Sequence, residues 1–264
     1  MNRLAAACAA LLVAAHARAQ EAPRSVFLEE LTTVEAGEAI AAGYTAILLP
    51  TAGTEQNGPH LAIGKHTYIV RYAAGRIAET LGGTLVAPVV TYVPEGSVDP
   101  PTGHMRYPGT ITLPDEYFER LVEYAARSFR AHGFTDILFI GDSGGNLPAM
   151  ARVAEALNAE WEGSGIRVHH LDDYYADNGY AEWLVAQGET EETIGSHAGL
   201  DTTSELLFVA PEHVRRDQLE AATGPQWGGA AGDPTRATTE YGEMGLRLKV
   251  DAAVRQARRL MGAR

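Results

Sequence analysis

Residues 45–66 read TAILLPTAGTEQNGPHLAIGKH. The first six form an apolar run that closes on Pro50. A loop rich in Gly and Pro follows, carrying Glu55, Gln56, Asn57, His60 and His66. Beyond it the period changes, and Ile69, Tyr72, Ala73, Ile77 and Leu81 recur at helical spacing. Strand, polar loop and helix make the βα unit of an α/β protein, which carries its chemistry on the loops leaving the sheet. One Glu and two His within twelve residues also form a donor set suited to a metal ion.

The same unit recurs along the chain. Further strands are expected over residues 84–90, 135–141 and 167–171, and helices over 66–81, 114–132 and 146–161. Phe118, Leu121, Val122, Ala125 and Phe129 make one apolar face of the second helix, and Gly133 terminates it. This order predicts a single α/β domain with a mainly parallel sheet flanked by helices. Two long loops, 91–113 and 172–201, interrupt it, the latter with a short helix near 180–187. A final helix is expected over 241–261. Loops of that length in a compact domain are usually functional or disordered.

Residues 1–19 read as a secretory signal. They open on the short basic start Met1-Asn2-Arg3, continue through an apolar run over 4–15, and end on Ala17-Arg18-Ala19. The run is too short to span a membrane. The alternative is an ordinary N-terminal helix. On the first reading the mature domain is 20–264, periplasmic or secreted. Cys8 is the single cysteine and lies inside the leader, which leaves neither disulfides nor thiolate ligands. The net charge is −13, and without the leader's two arginines 19 basic side chains face 34 acidic ones, giving −15. That balance argues against nucleic acid or an anionic membrane as partner and leaves a small-molecule substrate open.

Four segments together carry a resemblance: LPTAGTEQNGPHLAIG (49–64), GHMRYPGTITL (103–113), GFTDILFIGDSGGN (133–146) and SHAGLDTTS (196–204). In order and spacing they resemble the creatininase family of metal-dependent amidohydrolases, over roughly residues 28–209. The resemblance implies an α/β/α sandwich, assembly into homo-oligomers such as hexamers, and hydrolysis of cyclic or linear amide C–N bonds with Zn or Mn. The chain departs from the family pattern at the ligands. Glu55 and His60 are kept, but Asn57 stands for the motif's first His and His66 for its Asp. Ser143 stands for the third motif's His, and Leu200 and Thr202 for two glutamates. Asp142 appears beside the lost His. Glu55, His66 and Asp142 thus still offer two carboxylates and one imidazole, a site for one divalent metal, Zn or Mn. A second ion would fall to Asn57, Thr202 or Gly145, none of them a strong ligand. A site that also recruits His60 or His197, and a chain without metal, are the alternatives.

His197 matches the family's general acid/base, with Glu55 as its catalytic companion. His60 reads as a loop brace or a ligand, and His104 as substrate-facing or as loop. Asn146 reads as a helix cap or a catalytic amide. Trp183 and Trp227, with Tyr174, Tyr175 and Tyr180, either wall a ring-shaped substrate or pack loops. His169 and His170 read as strand-end packing, and His132 and His213 as structural. GDSGG at 141–145 also matches trypsin-like proteases, but that fold is all-β and disulfide-rich. A different serine chemistry stays open, with Ser143 as nucleophile, His197 as base and Asp142 or Asp201 as orienting acid. A non-catalytic, ligand-binding family member is the third reading.

Overall fold

The computed structural model describes residues 22–223 and 229–262; the expected leader and Trp227 lie outside them. Among the described residues, strands β1 (Ala46–Thr51), β2 (Thr84–Val86), β3 (Asp136–Gly141) and β4 (Arg167–His170) form one sheet. Its order is β2-β1-β3-β4 and every pairing is parallel, with Leu48 opposite both Val86 and Leu138. The parallel sheet and the helices on its faces match the sequence expectation.

β1 and β3 are buried along their whole length, as central strands of a parallel sheet must be. Their side chains alternate between two cores. Leu48, Leu138 and Ile140 face a core built with α2 (Lys65–Leu81), α7 (Leu200–Val209) and α8 (Thr239–Gly262). Ile47, Leu49, Ile137 and Phe139 face the other, built with α1 (Thr33–Ala41), α3 (Asp115–Ala131) and α4 (Leu147–Glu160). The chain runs outward from β1 to β2 over the face that carries α2, then crosses back past β1 from β2 to β3 and on to β4 over the face that carries α3 and α4. The loops after β1 and β3 therefore diverge and leave a crevice at the carboxyl ends of those strands.

The second strand is shorter than the apolar run 84–90. Pro88 lacks the N–H a ladder needs, so regular pairing stops at Val86. The run still tracks β1 through Ala87 N to Leu48 O at 2.8 Å and Val90 N to Pro50 O at 3.0 Å. Among the described residues, three α-helices escape the sequence reading: α1, α7 and the short α6 (Glu191–Ile194). α1 opens with a Thr32–Glu35 capping box, and α7 follows His197. α5 (Tyr180–Ala186) lies within the expected short helix, and α6 (Glu191–Ile194) follows it in the same loop. The long loop before α3 holds a 3-10 turn, Gly103–Arg106. No helix among the described residues is long and apolar enough to cross a membrane.

Phe139 is fully buried between β3 and the α3/α4 layer, whereas Tyr124 on α3 is 64% exposed. Phe139→Ala is expected to lower unfolding free energy by about 3–5 kcal/mol, and Tyr124→Ala by less than about 0.5 kcal/mol. Denaturant midpoints of the two variants check both values.

Candidate active site

Thr51 and Gly141 pair at the ends of β1 and β3, and the loops beyond them deliver the polar groups. Asn146 joins the two loops. Its Nδ2 donates to Ala52 O at 2.6 Å and to Thr51 Oγ1 at 3.0 Å. It makes no side-chain cap on α4. Of the two readings left open, the cap is not made; the side chain is a clamp that ties the β3–α4 turn to β1. A cavity of about 630 Å³ opens beside this junction, lined by Glu55, Lys65, His66, Glu95, His104 and Asp142 on one side. Ser143, Tyr175, Tyr180, His197, Asp201 and Lys249 line it as well.

The expected ligands Glu55, His66 and Asp142 do come together, but as a chain. His66 Nδ1 donates to Asp142 Oδ2 at 2.8 Å, and His66 Nε2 lies 2.9 Å from Glu55 Oε1. Both ring nitrogens are thus engaged within the protein. Asp142 is further occupied by the Tyr174 hydroxyl at 2.8 Å and by Lys249 Nζ at 3.1 Å. Burial pushes its carboxyl up, but the Lys249 charge and the His66 contact outweigh this and hold it at about 2.

Among the described residues, the group whose ligand atoms converge is Glu55, His104 and His197, all within 4.8 Å of one another. His104 Nε2 is 3.2 Å from Glu55 Oε2, and His197 Nδ1 is 3.7 Å from Glu55 Oε1. The two rings lie 4.7 Å apart. His197 Nε2 faces the Gln56 carbonyl at 2.9 Å and the Gln56 amide nitrogen at 3.0 Å. The carbonyl can only accept, so it takes the ring hydrogen and the Nδ1 lone pair faces Glu55. Burial drives both imidazoles toward the neutral form, His197 to about 4, with the Lys65 charge adding to the effect. Burial pushes Glu55 up, but the charge of Lys65 and the contacts of His66 and His104 keep it ionised. One carboxylate and two neutral imidazoles fit a divalent ion of the Zn or Mn kind.

Four site residues went unread in the sequence: Lys65, Glu95, Glu205 and Lys249. Lys65 is 1% exposed, with Nζ on Glu55 Oε1, Asn57 Oδ1 and His66 Nε2. Lys249 Nζ spans Asp142 and Glu205, 3.0 Å from Glu205 Oε1. Glu95 is 5% exposed; burial, then the Glu55 charge, raise it to about 9. The signal for Lys65 was its place between Gly64 and His66, inside the motif rather than on a polar helix face.

The remaining expected residues have defined places. His60 is fully buried, with Nε2 3.0 Å from Ala198 O and 3.1 Å from Thr203 Oγ1, the brace of the two readings. It holds the turn that carries His197, where Ala198 adopts a left-handed φ of 48°. Ser143 lines the cavity, but no hydrogen bond joins it to an imidazole among the described residues; His197 and Asp142 are engaged elsewhere. His169 packs at the sheet against Asp136, at 3.2 Å. Tyr174 turns inward to Asp142, while Tyr175 and Tyr180 line the cavity. Trp183 stacks on Tyr180 beside α8 and packs a loop.

Comparison with known proteins follows the same outline. A family model described as creatinine amidohydrolase matches residues 29–257. The chain belongs to the creatininase family. A mycofactocin precursor peptide peptidase of Mycolicibacterium smegmatis is 30% identical over 220 residues, covering 75% of this chain and 78% of that protein. A creatinine amidohydrolase of Pseudomonas putida is 26% identical over 221 residues, covering 81% and 84%. The structure titled creatininase Mn superposes with a TM-score of 0.73 at 24% identity, covering 90% of this chain and 99% of that one. A creatininase variant of Zn-Zn type gives 0.72 at 23% identity, with the same coverage. These two structures share the fold of this creatininase-family chain.

Burial lowers the His60 pKa to about 4, against 6.5 when unperturbed. The unfolded chain therefore binds this proton first as pH falls, and the stability His60 brings is lost between pH 6.5 and 4. Taking the protein from pH 7 to 4.5 is expected to cost about 2 kcal/mol through this group. His60→Gln should shrink the difference in unfolding free energy between those two pH values, read from denaturant titrations, by that amount.

Proposed function

We propose that this creatininase-family chain is a metal-dependent hydrolase that cleaves an amide C–N bond of a small molecule or short peptide. One divalent ion, Zn or Mn, serves it. The observation that carries this reading is the convergence of Glu55, His104 and His197 at one edge of the cavity. The relatives support the reaction class, since one is named a peptidase and another a creatinine amidohydrolase. They leave the choice between a peptide and a cyclic amide to experiment.

A divalent ion on those three residues would polarise the amide carbonyl and lower the pKa of water to about 7. The protein contributes the rest. His197 keeps Nδ1 toward the centre because the Gln56 carbonyl holds its other nitrogen. His104 takes the same role through Nε2, which faces Glu55 Oε2 at 3.2 Å. With His197 among the ligands, its expected part as a free acid/base recedes. His66 and Asp142, expected as ligands, form instead the hydrogen-bonded wall behind Glu55. The serine reading is weaker, because neither His197 nor Asp142 is turned to Ser143. The leader-like residues 1–19 support action in the periplasm or outside the cell, and family resemblance supports a homo-oligomer.

Elemental analysis is expected to find one Zn or Mn per chain. Chelation should abolish hydrolysis across a panel of peptides and cyclic amides, and adding metal should restore it. Glu55→Gln should weaken metal binding at least 100-fold, while a serine-directed inhibitor leaves activity unchanged. A metal content far below one per chain, with no gain on adding Zn or Mn, would refute the reading.

A further inference from the structure

Lys65 stands on the first turn of α2 with 1% of its surface exposed. An ammonium carries three hydrogens, and this one finds three acceptors. They are Glu55 Oε1 at 2.7 Å, Asn57 Oδ1 at 2.5 Å and His66 Nε2 at 2.7 Å. All three partners are themselves buried, Asn57 to 1% exposure. A lysine is usually drawn to water, and burial this deep demands that every hydrogen be met. Asn57 and His66 are also the two positions at which the first motif departs from the family pattern.

We propose that the Lys65 ammonium is a built-in cation that takes the place of a second metal ion and so holds this centre to one divalent ion. The proposal rests on the one-metal hydrolase reading given above. Glu55 divides its two oxygens: Oε1 faces Lys65, and Oε2 faces His104. At these two positions the charge changes offset each other. An ammonium in place of a divalent ion removes one positive charge, and His66 in place of an Asp removes one negative charge. Asn57 offers a neutral carbonyl oxygen suited to an N–H donor. On the far side of His66, Lys249 occupies Asp142 and Glu205 in the same manner, so those carboxylates also have a cation supplied by the chain. Lys65 is thus a positioning residue, fixing the Glu55 carboxylate so that its other oxygen meets His104.

Counting bound ions tests this. Zn and Mn content by elemental analysis, and stoichiometry by titration calorimetry, are compared for wild type, Asn57→His and Asn57→His/Lys65→Met. The expected counts are one, one and two per chain. A wild-type or Asn57→His count of two overturns the proposal while leaving the metal hydrolase reading intact, and so does a double variant that folds and still binds one. A wild-type count of zero removes the metal reading and this proposal with it. Circular dichroism establishes that the variants fold. Should the double variant fail to fold, anomalous diffraction from wild-type crystals grown with Mn decides. One peak at Glu55, His104 and His197 supports the proposal, and a second among Glu55, Asn57 and His66 overturns it.

Discussion

The contact between Lys65 and Glu55 constrains everything around it. Both side chains are withdrawn from water, and neither charge is tolerable there alone. Removing one partner of such a pair costs about 3–5 kcal/mol, because the other is left buried and uncompensated. The fold answers by placing further groups of matching sign in reach. His66 relays from Glu55 to Asp142, and Lys249 closes the series onto Glu205. Polar contacts thus run without a break from the β1 loop across α2 and the β3 loop to α7 and α8. Helices that share no strand are bound to the sheet's carboxyl edge through this series as well as through their apolar faces.

The sheet supplies the fixed frame. β1 and β3 are paired over six residues, so the loops that follow them start at matched heights. Asn146 then clamps one loop to the other. A polar cluster built on two loops is ordinarily mobile, but here each loop leaves a fully buried strand. The positions of Glu55 and Asp142 are therefore set within a residue or four of rigid backbone.

Much of this was legible in the chain. The apolar runs of β1 and β3, the period of α2 and α3, and the cluster of Glu55, His60 and His66 all showed themselves, because buried strands and amphipathic helices leave a local pattern. The early end of β2 was written in Pro88. The site was read only in part. Glu55, His104 and His197 were each singled out, but their convergence depends on loops folding over one another, which no local spacing encodes. Lys65 and Lys249 were passed over because lysine ordinarily marks a solvated face. A lysine's meaning changes once its neighbours are acids without water, and that is a property of the tertiary arrangement. Glu95 escaped for the same reason: its proximity to Glu55 joins residues forty positions apart.

Ala198 has a wider consequence. A left-handed alanine is disfavoured by roughly 1–2 kcal/mol, and the chain keeps it here with His60 and Thr203 both anchored to its carbonyl. The adjoining imidazole consequently has little rotational freedom to surrender when a guest arrives. Its disorder is removed during folding, so association meets a centre whose shape is already decided, and the affinity that would otherwise go into ordering the turn remains for discriminating among guests.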